Sequence, residues 1–113
     1  MEILKVYPEN IANDKKMLYI LTMGKSISIK DVKDTPIKVS AYALYKDTNK
    51  KGEEHEILTI FDGVHVYSTI SNTFKDSFFA ICELMGDDYF SVEVLHGMTK
   101  SDRPFVDCGI SFK

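Results

Sequence analysis

Tryptophan is absent from this 113-residue chain, and cysteine, histidine and proline are scarce, with two, three and three copies. The cysteines, Cys82 and Cys108, stand at a spacing that matches no metal motif. Each falls inside an apolar pattern, which reads as a small buried hydrophobe rather than a disulfide or redox partner. His55, His65 and His96 are scattered, with no His-Glu-x-x-His pair and no second histidine at ligand spacing, so no metal is expected. No glycine-rich phosphate loop precedes a helix, no serine sits in a nucleophile elbow, and Asp87-Asp88 reads as an exposed turn. These absences exclude the common enzyme signatures and leave no cofactor to expect. No run approaches the ~20 apolar residues of a membrane span, and Met1-Glu2-Ile3-Leu4-Lys5 does not open a targeting signal. The expected location is the cytoplasm, with no membrane partner. An excess of positive charge is missing too: the formal net charge is −3. That sum argues against a polyanionic partner unless the charges are unevenly distributed, because a ligand responds to the local field.

What is present is the composition of one ordinary globular domain, 44% hydrophobic and 27% charged, at a length suited to a single core. Residues 1–35 read as an N-terminal extension. Within it the apolar run Met17-Leu18-Tyr19-Ile20-Leu21-Thr22-Met23 reads as a short buried strand, and residues 26–32 as a strand or a helical turn begun by Ser28. The domain proper covers residues 36–113. Ile37, Val39, Ala41, Ala43 and Tyr45 alternate with polar or less buried neighbours and predict one long strand, with its small alanines suited to a tight curve. A polar loop follows, then a second strand at 57–61, the hairpin signal Asp62-Gly63, and a third strand at 64–70 with Val64, Val66 and Ile70 on its apolar face. Ser71 or Asn72 can cap a helix whose stripe is Phe74, Phe78, Ile81 and Met85, and Gly86 stands where that helix should stop. Phe90, Val92 and Val94 mark a fourth strand. A fifth begins at Pro104 and turns Val106, Cys108, Ile110 and Phe112 inward. No internal repeat is visible.

This is a mainly β chain with one helix, in the order β-β-β-α-β-β after the extension, which is the layout of the five-stranded OB-fold barrel. Such a barrel takes its ligand across the second and third strands, between the loop joining the first two strands and the loop joining the last two. Here those loops are residues 47–54 and 96–103. The first carries Lys50 and Lys51 just beyond Lys46, and the second carries Lys100 and Arg103. The helix and its exit hold Lys75 among Asp76, Glu83, Asp87 and Asp88. Basic groups thus gather at the expected cleft and acidic groups at the plugged end, and screening over ~8–10 Å keeps the two regions separate. With no tryptophan, base stacking would fall to Tyr or Phe. Tyr42, Tyr67 and Phe105 lie out of phase with the clearest apolar rows and are the expected platforms, and His65 is the histidine placed to bond a phosphate or stack.

The segments Ala43-Leu44-Tyr45-Lys46-Asp47, Asp62-Gly63-Val64-His65-Val66-Tyr67-Ser68-Thr69, Ser71-Asn72-Thr73-Phe74-Lys75-Asp76-Ser77-Phe78 and Gly97-Met98-Thr99-Lys100-Ser101-Asp102-Arg103-Pro104-Phe105 carry a resemblance. Together the chain resembles the single-stranded-DNA-binding proteins of phages, plasmids and conjugative elements of Gram-positive bacteria. The resemblance implies a non-enzymatic OB-fold that coats single-stranded DNA during replication or transfer of a mobile element, in company with that element's replication or transfer proteins. Two departures stand out. That family's last hairpin often reads Ser/Thr-Lys-x-Gly-Arg, and here Asp102 takes the glycine's place. The chain also ends on Ile110-Ser111-Phe112-Lys113 without an acidic tail, so partner recruitment by such a tail is not expected. The residues alone leave two other readings open, an OB-like protein–protein adaptor and an oligosaccharide-binding barrel. Unpaired strand edges leave homo-oligomers open as well.

Overall fold

The structure, a computed structural model, describes residues 1–112. Among these residues the order of elements is β1 (Glu2–Tyr7), α1 (Lys15–Thr22), β2 (Ile27–Ser28), β3 (Ile37–Lys38), β4 (Ala41–Thr48), β5 (Glu54–Phe61), β6 (Val66–Thr69), α2 (Asn72–Met85), β7 (Ser91–Met98) and β8 (Pro104–Ser111). Short 3-10 turns occupy Glu9–Asn13 and Ile29–Asp31. The fold is mainly β, with two α-helices where the sequence predicts one. The strands form two sheets, β1-β4-β5-β6-β2 and β3-β7-β8, antiparallel except for the β2–β6 pair.

The long strand expected from residue 37 onward is divided between these sheets. Val39 donates its N–H to Phe90 O (3.1 Å) on one side, and Ser40 donates to Phe61 O (2.9 Å) on the other. The chain therefore crosses from sheet to sheet between those two residues, and the side-chain alternation changes partners there. Ile37 and Val39 enter the main core, whereas Ala41, Ala43 and Tyr45 turn to the opposite face, beneath α1. A single apolar face for all five is thus corrected: β4 is buried on both sides, and Tyr42 and Leu44 supply its inner face. The alanines are small because a helix lies on them.

That helix is the segment predicted to be a strand. Asp14 Oδ1 accepts the N–H of Met17 (3.1 Å), which caps α1 and starts the turn. Leu21 is then buried and Met17 and Leu18 half-buried against Ala41, Ala43 and Tyr45, while Tyr19 faces solvent. A continuous apolar run has no period of its own, so the capping aspartate ahead of it is the discriminating signal. Residues 26–32 contain both predicted forms in succession, a two-residue strand and then a 3-10 turn. β1 has no clean sequence signature because it bulges. Ile3 lies opposite Tyr45 and Lys5 opposite Leu44, so Leu4 is an extra residue that breaks the alternation.

The main core packs Phe74 and Phe78 of α2 onto Leu58, Ile60, Tyr67, Val92 and Ile37. Ser71 Oγ accepts the N–H of Phe74 (3.2 Å), and Gly86 ends the helix at φ +58°, as the sequence predicts. Lys75 is 4% exposed: its Nζ donates to Glu56 O (2.7 Å), tying α2 to β5 instead of joining the charged helix surface. Two apolar faces need correction. Val64 and Ile70 are exposed while Val66 is buried, and Phe112 stands 89% exposed past the end of β8. No described helix is long and apolar enough to cross a membrane.

Candidate nucleic-acid interface

Two hairpins rise side by side from the sheets. In the first, residues 49–53 join β4 to β5. Asn49 N donates to Glu53 O (2.9 Å), Gly52 N donates to Asn49 O (3.0 Å), and Asn49 Oδ1 accepts from Lys51 N and Glu53 N. Gly52 sits at φ +81°. In the second, residues 99–103 join β7 to β8. Thr99 N donates to Arg103 O (2.9 Å), Asp102 N donates to Thr99 O (3.0 Å), and Thr99 Oγ1 accepts from Arg103 N (3.1 Å). Asp102 sits at φ +60°, in the left-handed region that glycine adopts most readily.

Between the feet of these hairpins lies a cleft of about 1050 Å³. Tyr45 and Ile57, at the foot of the first hairpin, line one wall, and Gly97, Met98, Pro104 and Phe105, at the foot of the second, line the other. The end of β6 and the segment around Ser26 and Ser28 complete it, held together by a Ser26–Ser68 hydroxyl pair at 2.9 Å. The cleft opens where no ladder joins β6 to β8 among the described residues. There the Ser71 hydroxyl reaches Val106 O at 3.5 Å.

Phe105 is the ring best presented in this cleft. It lies directly across the ladder from Gly97, and a Cβ on that glycine would fall 2.5 Å from Phe105 Cζ. The ring rests on bare backbone and remains 39% exposed beside the cleft. Lys100 and Arg103 stand in the adjoining turn, and Lys50 and Lys51 in the turn opposite. All four are exposed and without an ion pair among the described residues. Of the acidic neighbours in the first hairpin, Glu54 has an ion-pair partner and Glu53 a neutral amide. Glu53 accepts from Asn49 Nδ2 (3.4 Å), and Glu54 faces Lys46 at 3.9 Å.

Four predicted residues fall elsewhere. Tyr42 is 4% exposed, stacked on Tyr7 (centroids 5.5 Å apart) with Phe78 edge-on at 5.2 Å. Burial pushes its hydroxyl well above the ordinary tyrosine value, and no ring face is free for a base. Tyr67 is 8% exposed in the main core, and its hydroxyl donates to Asp62 Oδ2 (3.3 Å). Alternation with apolar rows is what marks both as platforms in the sequence. The alternation is real, but in each case the core lies on the tyrosine's side. His65 belongs to the turn between β5 and β6, at the end of β5 remote from the cationic hairpin, roughly 25 Å away along eight strand residues. Lys46 alternates with Tyr45 and so turns to the face opposite the cleft, paired with Glu54.

The cleft includes residues that the sequence does not single out. Tyr45 has its hydroxyl committed to Thr22 O (3.3 Å), and Ser26, Ser28, Ser68 and Lys30 come from the extension and β6. The register of β4 could have nominated Tyr45; nothing in residues 24–30 announces a wall. Burial pushes the Cys82 thiol up to about 11 and that of Cys108 to about 12, so neither is a thiolate at neutral pH. Comparison of the chain with family models, curated proteins and solved structures finds no match.

Proposed function

We propose that this chain is a non-enzymatic, sequence-tolerant single-stranded-DNA-binding protein with the architecture of an OB-type barrel. The barrel reading is supported by the segment 37–48, which feeds both sheets, so that the strands follow one another from β6 through β5, β4 and β3 to β7 and β8. The cleft lies where such a ring would close. One observation carries the functional reading: a phenylalanine ring laid on a glycine at the edge of a cleft flanked by two cationic turns. An unpaired base offers a flat face to such a ring, and the phosphates on either side need the cations that Lys50, Lys51, Lys100 and Arg103 supply. Service in replication or transfer of a mobile element rests on the sequence resemblance.

The two contributions separate experimentally. Phe105→Ala removes one stacked base, worth ~1–3 kcal/mol, and so weakens oligo-dT binding by about 5- to 150-fold while leaving the salt dependence unchanged. Replacing Lys50, Lys51, Lys100 and Arg103 with alanine flattens the log–log salt slope by about 0.7 for each phosphate that is no longer neutralised. The overall charge of −3 favours a second reading, a protein-binding adaptor on the same scaffold. Under that reading the charge variant keeps its partner, and the wild type shows no salt-sensitive affinity for oligonucleotide.

A further inference from the structure

The two hairpins flanking the cleft are one structure built twice, fifty residues apart. The turn hydrogen bonds repeat: 49 to 53 matches 99 to 103, and 52 to 49 matches 102 to 99, with equal lengths of 2.9 and 3.0 Å. The ladders repeat as well. Thr48 faces Glu54 as Met98 faces Pro104, Asp47 faces His55 as Gly97 faces Phe105, and Tyr45 faces Ile57 as Leu95 faces Asp107. A lysine occupies the second turn position of both, Lys50 and Lys100, and the fourth position has positive φ in both. The side chains differ almost everywhere else, which is why no repeat is visible in the sequence.

This equivalence places His55 where the second hairpin has Phe105. Strand alternation puts His55 on the same face of β5 as Ile57, which lines the cleft, and one pleat closer to Lys50 and Lys51. Phe105 stands in the same relation to Lys100 and Arg103. The imidazole is half-buried, and its Nε2 lies 3.5 Å from Asn49 Nδ2, the side chain that organises the turn. We infer that His55 is the second ring contact for the bound strand, the counterpart on the β4–β5 arm of Phe105 on the β7–β8 arm. The inference rests on the single-strand-binding reading. It adds that the strand is held by a ring and a cation from each arm rather than by one arm alone.

The test uses the full chain with His55→Ala, His55→Gln and His55→Phe, beside Phe105→Ala. Affinity is measured by fluorescence anisotropy on dye-labelled oligo-dT of about 30 nucleotides, longer than the ~4–16 that one domain of this kind covers. Thermal melts confirm that each variant is folded. The expected result is a loss of about five-fold or more for alanine and glutamine, with phenylalanine close to wild type, since the ring face and not the nitrogen makes the contact. The inference is overturned if His55→Ala binds as wild type while Phe105→Ala is weakened, or if glutamine restores binding and phenylalanine does not. Failure of the wild type itself to bind removes the functional reading along with the inference, which distinguishes the two failures.

Discussion

Thr59 carries the clearest unmet demand of any described side chain. Its hydroxyl is buried on the outer face of β5, across from Ala43 and Ser68, and has no hydrogen-bond partner among the described residues. Desolvating such a group costs ~1–3 kcal/mol, and an isosteric methyl carries no such cost. Thr59→Val should therefore raise stability by about 1 kcal/mol, read as a higher urea midpoint with an unchanged m-value. At this scale the sequence is only half legible. It announces the alternation around Tyr42 and Tyr67 correctly, but not which side of each strand faces the core. That choice depends on what covers the far face, and for β4 the cover is α1, whose apolar run does not declare itself a helix. Phe105 is legible because its odd phase relative to Val106 and Cys108 persists in the fold. Its seat on Gly97 is not, since it requires the register of two strands.

Among the elements, the turns are the most exacting. Asp102 holds a left-handed conformation that its Cβ disfavours and that glycine adopts freely. Part of the gain from Asp102→Gly is offset by the greater freedom of the unfolded chain, so the expected stabilisation is below about 1 kcal/mol. The same change removes a negative charge beside Arg103, and oligonucleotide affinity at low salt should rise a few-fold. Melting and anisotropy on one preparation check both. The β5–β6 turn is organised by Asp62, whose Oδ1 accepts the N–H groups of Val64 (2.8 Å) and His65 (2.6 Å). Burial alone would raise this carboxyl. The hydrogen bonds from His65 and Val64, the Tyr67 hydroxyl and the His65 ring outweigh it and hold it below the usual carboxylate range. A depressed folded value means that the ionised form contributes stability above the unfolded value of about 3.9, lost as pH falls through the folded value. Asp62→Asn should thus melt below wild type at pH 7, with the gap narrowing as pH drops below about 3.9. A series of melts from neutral to acid pH measures it. Element type is readable wherever the period is clean, as in α2, β5, β7 and β8. It fails at β1, where a bulge interrupts the alternation, and at α1, where every residue of the run is apolar enough for either form.

For the whole molecule the proposed single-strand binding has to be reconciled with a net charge of −3. The sum hides an arrangement. Four cations without an ion pair among the described residues crown the two hairpins, against Glu53 in the first turn and Asp102 in the second, while Glu54 is paired with Lys46 and α2 and its exit carry the acidic residues Asp76, Glu83, Asp87 and Asp88. With a screening length of ~8 Å at physiological salt, a strand bound in the cleft as proposed would respond to the crown rather than to the total. The order β-β-β-α-β-β is visible in the sequence from residue 37 onward. The division of its first strand between two sheets is not, because Val39 and Ser40 keep the alternation while the backbone changes partners. The most direct test is anisotropy of dye-labelled oligo-dT titrated with the wild-type chain across a salt series starting at about 50 mM, read against oligonucleotide duplex of equal length. The expected result is saturable binding that prefers the single strand and weakens linearly in log–log coordinates, by about 0.7 per phosphate contacted. No binding at the lowest salt, or binding indifferent to salt, would contradict it.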